Sequence, residues 1–213
     1  MISRRLWLGG LAGGYALWWT ALAFDPVSRS DWWLENVLVL VGVGVLVATH
    51  DKLSRAALLS CFAFLALHAI GAHYTYSEVP YDRIVQAQFG FSPNELFGAS
   101  RNHFDRIAHF AYGLMITPPL RELLQHRFGL RGFWSYFLPF EMTVTTSTLY
   151  ELLEWAAAVV FGGDLGTAFL GTQGDEWDAQ KDMLCATLGA FASMGIAALV
   201  EATTATRSQP AAP

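Results

Sequence analysis

Asp105 and His109 stand four residues apart, Glu151 and Glu154 three apart, and Asp175, Asp178 and Asp182 follow at intervals of three and four. On a helix, such spacings put side chains on one face. A carboxylate beside an imidazole can move a proton near neutral pH, because the unperturbed histidine pKa is ~6.5. With further carboxylates the same pair suits Zn, Mn or Fe, whereas oxygen ligands alone suit Mg or Ca. Arg101 and Arg106 add planar cations that fit a phosphate. None of these spacings has the specificity of an HExxH zinc motif. The chemistry therefore rests on whether the chain's elements bring these residues together.

Those elements read as membrane spans. Residues 6–24 and 183–200 carry no charge, 32–49 carries only Glu35 near its start, and 56–72 carries none. Residues 107–120 are uncharged but short and hold a Pro118-Pro119 pair, while 134–161 is long and carries Glu141, Glu151 and Glu154. A spanning helix needs ~20 mostly apolar residues, and a soluble core helix would show a polar stripe. The sequence predicts an all-α polytopic bundle of six transmembrane helices. One membrane domain covers residues 1–203, and 204–213 has the composition of a disordered cytoplasmic tail.

Loop charge orients the bundle. Alternate loops on one side hold 8 of the 13 basic residues, which places both termini in the cytoplasm by the positive-inside rule. The other side holds 12 of the 18 acidic residues, including Asp25, Asp31, Glu35 and Asp164. Trp18, Trp19, Trp32 and Trp33 bracket the first outer turn at headgroup level, and Trp155, deep in the fifth span, is expected to pack in the core. Arg4-Arg5, an apolar run and Ala21-Leu22-Ala23 resemble a signal peptide, but that run exceeds the usual ~7–15 residues and reads as an uncleaved helix. Gly9, Gly10, Gly13 and Gly14 have GxxxG spacing, which allows close helix packing.

In this layout the third to sixth spans deliver His68, Asp105, His109, Glu151, Glu154, Asp178 and Asp182 to the outer side at similar depth. A charged carboxylate at a helix centre costs roughly 2.5–3.5 kcal/mol on insertion scales. Glu151 and Glu154 must therefore face the bundle or a wet cavity, be paired, or be protonated. Three roles account for such a cluster: a buried network fixing helix packing, a binding or transport site, and an enzyme site.

Composition narrows the field. Only 15% of residues are charged, against ~25% in soluble domains. With a net charge of −5 and no basic stripe, a nucleic-acid partner is excluded. Two cysteines exclude a disulfide scaffold. Cys61 and Cys185 fall at opposite depths and are not expected to pair.

The stretches His68-Ala-Ile-Gly-Ala-His73-Tyr-Thr-Tyr76-Ser-Glu78-Val-Pro80, Arg101-Asn102-His103-Phe104-Asp105-Arg106-Ile107-Ala108-His109-Phe110, Tyr150-Glu151-Leu152-Leu153-Glu154-Trp155 and Phe169-Leu-Gly-Thr-Gln173-Gly-Asp175-Glu-Trp177-Asp178-Ala-Gln180-Lys-Asp182-Met183 resemble the YjdF-like family. The match spans residues 68–189. It implies a multi-pass inner-membrane protein and brings no settled activity. A more distant likeness is to VanZ-like membrane proteins, carried by Asp105-Arg106, His109-Phe110, Glu151 or Glu154, and Asp182 leading to Leu188-Gly189. Arg106 stands where that pattern would have Lys. The likeness implies only an analogy to a cell-envelope or lipid role.

These readings lead to one working picture: acid–base or metal-assisted chemistry on the headgroup of a membrane lipid or envelope precursor. Asp105, His109, Glu151 and Glu154 are the catalytic candidates. Arg101, Arg106, His73, Tyr76, Gln173 and Trp177 are the substrate-side candidates. Asp175, Asp178, Asp182 and His68 are the candidates for a divalent metal. The alternative is a non-catalytic binder or transporter of a small polar solute or cation. The topology is testable directly. Reporter fusions after Phe161 should read outside and fusions at the C-terminus inside, and the reverse at both would move the cluster to the cytoplasmic face.

Overall fold

The computed structural model describes residues 2–163 and 170–207. Asp164 and Phe169, and the expectation for 208–213, lie outside them. Among the described residues there is no strand. The helices are α1 (Arg4–Leu22), α2 (Arg29–Thr49), α3 (Arg55–His73), α4 (Tyr81–Phe89), α5 (Pro93–Leu96), α6 (Phe104–Phe128), α7 (Trp134–Phe161) and α8 (Asp178–Arg207). The six long helices coincide with the six apolar runs. Three stretches, Arg29–Lys52, Arg55–His73 and Asp178–Thr204, are long and apolar enough to cross a membrane by length and composition. Large apolar side chains such as Leu40, Val47, Val160, Phe191 and Leu199 face outward. That much exposed apolar surface suits lipid and exceeds the patches of soluble monomers.

Short polar signals start the first helices. The hydroxyls of Ser3, Ser28 and Ser54 accept the backbone N–H groups of Leu6, Asp31 and Ala57, which caps α1, α2 and α3. Long helices consecutive in the chain alternate in direction, so α6 and α8 run parallel, meeting at Arg106–Asp178 near their starts and at Arg121–Glu201 near their ends. At one end Arg4 of α1 donates to the carbonyls of His50 and Leu53, both at 2.6 Å. There Glu122 of α6 accepts from the Ser54 backbone and hydroxyl, and Arg121 pairs with Glu201 of α8 at 2.7 Å. The opposite end carries the N-terminal halves of α2, α6 and α8 and the C-terminal half of α7, and with them the acidic cluster.

The α6–α8 pair packs more extensively than any other. A Cβ on Gly113 would lie 2.0 Å from the Ala186 carbonyl oxygen, and one on Gly189 2.1 Å from that of Phe110. Ala186 and Ala190 are fully buried in the same seam. Small residues thus let two backbones touch. The glycines of α1 have nothing within 4 Å of an added Cβ. Their GxxxG face takes no part in packing within the chain.

Several expectations are corrected. The fourth span, α6, is longer than its uncharged run of residues 107–120 and passes through Pro118-Pro119 to Phe128. Proline removes an N–H and so frees the carbonyl four residues earlier. Pro119 frees Met115, whose oxygen takes the Ser60 hydroxyl of α3 at 2.7 Å. Pro139 frees Ser135 in α7, whose oxygen takes Arg121 Nε at 3.0 Å. Arg101, Asn102 and His103 precede the helix and do not start it. Residues 204–207 extend α8 and do not begin a tail; the Thr204 hydroxyl bonds back to the Val200 carbonyl at 2.9 Å. The long stretch after α3 contains two short helices, α4 and α5. Trp155 is 61% exposed. It follows the inward-facing Glu154 by one residue, about 100° round the helix. Both cysteines are free.

The seam predicts opposite outcomes for two identical changes. Gly113→Ala should destabilise the detergent-solubilised protein by about 3 kcal/mol or more, because backbone cannot yield as a side chain does. Gly13→Ala should change stability by no more than about 0.5 kcal/mol. Thermal unfolding of both variants checks the pair.

Candidate functional site

Three helices bring ladders of four-residue steps to one seam. On α6 the ladder is Asp105, His109, Gly113 and Thr117. On α7 it is Pro139, Thr143, Ser147 and Glu151, with Glu154 one turn beyond. On α8 Asp182 leads to Ala186 and Ala190. Steps of four keep each ladder on one helix face. Small residues fill the middle of the seam, and ionisable residues fill its acidic end.

His109 sits at the centre and is buried. Its Nδ1 lies 3.5 Å from the Ser147 hydroxyl. Its Nε2 lies 3.2 Å from Glu151 Oε1 and 3.6 Å from Asp105 Oδ1. Ligand atoms of Asp105, His109 and Asp182 all lie within 4.8 Å of one another, a grouping that could hold a metal ion. Glu151, Glu154 and Asp182 are buried. Among the described residues, buried Asp182 Oδ1 has no hydrogen-bond partner, and Glu151 Oε1 has only its ion-pair contact with His109. An orphaned buried carboxylate oxygen costs more than a satisfied one.

The arginines are engaged elsewhere. Arg101 forks onto Asp178, with Nη1 2.5 Å from Oδ1 and Nη2 3.1 Å from Oδ2. Its Nη1 also donates to the Thr172 carbonyl at 2.9 Å. Arg106 Nη2 reaches Asp175 at 2.6 Å and Asp178 at 3.1 Å. Lys181 completes the group at 2.6 Å from Asp175. Lys181, the Trp177 backbone N–H and Arg106 hold the Asp175 carboxyl well below the usual range, so it is ionised at any physiological pH. Burial, then Arg106 and Arg101, push the His103 imidazole below its ordinary pKa. The neutral ring can then accept from Arg106 Nη1 at 3.2 Å.

This clasp joins loops far apart in the chain. The Asn102 N–H donates to Gln173 Oε1 at 3.0 Å, and Gln173 Nε2 donates back to the Asn102 carbonyl at 3.1 Å. Asn102 Nδ2 reaches the Val79 carbonyl at 2.8 Å. The stretches around 79, 102 and 172 are thereby tied to one another over the head of the seam.

Beside the seam a cleft of about 270 Å³ runs between α7 and α8. Its lining includes Glu151, Glu154, Asp178 and Asp182 together with the apolar Leu152, Trp155, Leu170 and Met183. The acidic cluster is therefore not sealed inside the bundle.

The sequence-derived groups are redistributed. Asp105, His109, Glu151 and Glu154 lie together. Of the residues expected to ligate a metal, only Asp182 joins the Asp105–His109 pair. Asp175 and Asp178 hold the arginines, and His68 bonds to Tyr76 and, at 3.2 Å, to the Glu35 carbonyl. Arg101 and Arg106, expected to bind an anion, spend their forks on carboxylates. His73 caps the Leu22 carbonyl at 2.8 Å, Gln173 clasps a loop, and Trp177 is exposed. Tyr76 packs its ring where Gly71 has no Cβ to obstruct it. Four residues near the cluster were not picked out from the sequence: Asp31, Glu35, Ser147 and Tyr150. Glu35 was the legible one. It lies inside an apolar span, four residues after Asp31, so the reasoning applied to Glu151 covers it too.

A family model described as "Predicted membrane protein (DUF2238)" matches residues 8–203. The Escherichia coli (strain K12) inner membrane protein YjdF is 38% identical over 181 residues, which cover 81% of each chain. No solved structure matches.

The clasp predicts asymmetric mutational costs. Arg101→Met removes the fork from buried Asp178 and leaves it the single Arg106 contact, so it should destabilise by about 1.5–3 kcal/mol. The double change Arg101→Met, Asp178→Leu should recover most of that loss. Chemical denaturation in detergent of both single variants and the double, as a double-mutant cycle, measures the coupling.

Proposed function

The chain belongs to the DUF2238 family of predicted membrane proteins, and we propose that it binds a divalent cation on Asp105, His109 and Asp182 for acid–base chemistry on a lipid or envelope-precursor headgroup. One observation carries this reading. Buried Asp182 Oδ1 has no hydrogen-bond partner among the described residues, and Asp182 stands with Asp105 and His109 in a group whose ligand atoms all lie within 4.8 Å of one another. The nearest arginines are already neutralised by Asp175 and Asp178. The group is short of positive charge, and a cation supplies it. Mixed carboxylate and imidazole donors suit Zn, Mn or Fe.

Such an ion can polarise a phosphoryl or carbonyl oxygen and lower the pKa of a bound water. The chain's own groups do the rest. Ser147 orients His109 through Nδ1, as outer-shell partners do for ligating histidines. Glu151 and Glu154 line the cleft and are placed to take a proton from an attacking water. An anionic headgroup would be held by the ion, since the arginine forks are occupied. The apolar wall of Leu152, Trp155 and Met183 suits an acyl chain entering from the side. In the inner membrane, with six spans and both termini inside, the cleft opens toward the outer leaflet.

The same donors would also bind a cation without turnover, as a carrier would. Elemental analysis and headgroup turnover in lipid-reconstituted protein separate the two. Metal-loaded wild type should convert headgroups, and Asp182→Asn and His109→Ala should each weaken metal binding at least about tenfold, the lower scale of outer-shell losses. Bound metal without turnover would leave the cation carrier. Failure of wild type to bind any divalent metal would refute the site.

A further inference from the structure

The stretch between α3 and α6 is built inside out. Its polar side chains bond to one another. The Ser92 hydroxyl donates to both carboxylate oxygens of Asp82, at 2.8 and 2.9 Å, and the Asn94 N–H donates to Oδ1 at 2.8 Å. The Tyr81 hydroxyl donates to Asn94 Oδ1 at 2.6 Å and accepts from the His103 N–H at 3.1 Å. Ser92 is buried, whereas Ile84, Phe89, Phe91, Leu96 and Phe97 are exposed, Phe97 by 82%. A loop in water would do the reverse, because apolar surface left in water forfeits the free energy of its burial.

The setting of these side chains says what covers them. Tyr81 packs on the cluster of Val79, Phe104 and Ala108 at the head of α6. At about 100° per residue, Tyr81 and Val85 lie between Ile84 and Phe89 on the circumference of α4, and Arg83 lies on the far side. The apolar arc is therefore turned toward the bundle and Arg83 away from it. The stretch joins the end of α3 to the start of α6, so both its ends stand at the acidic end of the bundle. At that same end Trp33, near the start of α2, and Trp177, just before α8, are exposed, in the belt that tryptophan takes at headgroup depth. α6 presents Ile107 and Phe110 outward within its first two turns, so apolar surface runs from the stretch onto the helix that follows it. Residues 81–97 carry only Asp82, Arg83 and Glu95, which gives no pull toward anionic lipid. Apolar burial must do the holding.

We propose that α4 and α5 form an anchor in the membrane surface at the acidic end of the bundle, with Ile84, Phe89, Phe91, Leu96 and Phe97 seated between headgroups and acyl chains. The occupant of this face is lipid, and zwitterionic lipid is enough. The bonds among Asp82, Ser92 and Asn94 make the two short helices one rigid unit, and Asn102 ties that unit to the loop clasp through the Val79 carbonyl. The anchor thereby holds the clasp at a fixed height over the bilayer.

Spin-label accessibility in phosphatidylcholine nanodiscs, with one full chain per disc, tests this. Cys61→Ala and Cys185→Ala clear the chain of its own thiols, and Phe89→Cys, Phe97→Cys and Arg83→Cys each then carry a single label. Labels at Phe89→Cys and Phe97→Cys should meet dissolved oxygen several-fold more often than a water-soluble nickel chelate, and the label at Arg83→Cys should show the reverse. A chelate preference at both phenylalanine positions would put the stretch in water and overturn the anchor. Labels shielded from both reagents would mean that protein covers the face, which overturns it equally. An oxygen preference at Arg83→Cys would overturn the orientation of α4. Should the thiol-free chain not fold, the wild-type chain decides, in nanodiscs holding a phosphatidylcholine with a diazirine at the top of its acyl chain. Photolysis should leave lipid adducts within residues 84–97, and adducts confined to the long helices would overturn the anchor.

Discussion

Gly113 and Gly189 let α6 and α8 meet backbone to backbone, and the arrangement of the acidic end depends on that contact. His109 lies one turn before Gly113 on the same face of α6, and Asp105 one turn before that. Asp182 stands one turn before Ala186, whose carbonyl presses on Gly113. Were the helices held apart by even one methyl group, Asp182 would leave the reach of Asp105 and His109. The geometry of the ionisable group is thus set by residues with no chemistry of their own.

A second constraint sorts the charges. Six carboxylates and two arginines enter the head of the bundle, but they do not pair indiscriminately. The arginines sit in or just before the first turn of α6 and meet Asp175 and Asp178 at the entry to α8, where the Gly171 and Thr172 carbonyls also accept from Arg101. The deeper acids, Asp105, Glu151, Glu154 and Asp182, are left beyond the arginine forks. The clasp neutralises the mouth and leaves the interior acids without an arginine partner. A simple packing network would be expected to satisfy its deepest members first, since buried unpaired groups cost the most.

The long helices were legible because apolar run length is a one-dimensional signal. Depth was legible too: Asp105, His109, Glu151 and Asp182 converge as their spacing required. Rotation was not. Trp155 turned outward because Glu154 turned inward, and nothing in the spacing ranks a tryptophan against two glutamates. The length of the fourth span was not legible either. It passes through Pro118-Pro119 to Phe128, because in a bundle a neighbouring helix can supply the donor that a freed carbonyl needs. Arg101 and Arg106 looked free because their partners lie some 70 residues later, and pairing across that distance leaves no trace in local pattern. Asp31 and Glu35 were grouped with the loop acids, which concealed that they stand within reach of α6 and α7.

The proline carbonyls carry a consequence for how the chain is made. Met115 receives its hydroxyl from Ser60, and Ser135 receives its guanidinium from Arg121. In each case the donor precedes the acceptor in the sequence, so it has left the ribosome first. A proline-bearing segment entering the bilayer therefore finds its missing donor already waiting. The chain's order of synthesis is also an order of repair. A circularly permuted protein that began at α6 would expose the Met115 carbonyl to hydrocarbon until α3 arrived.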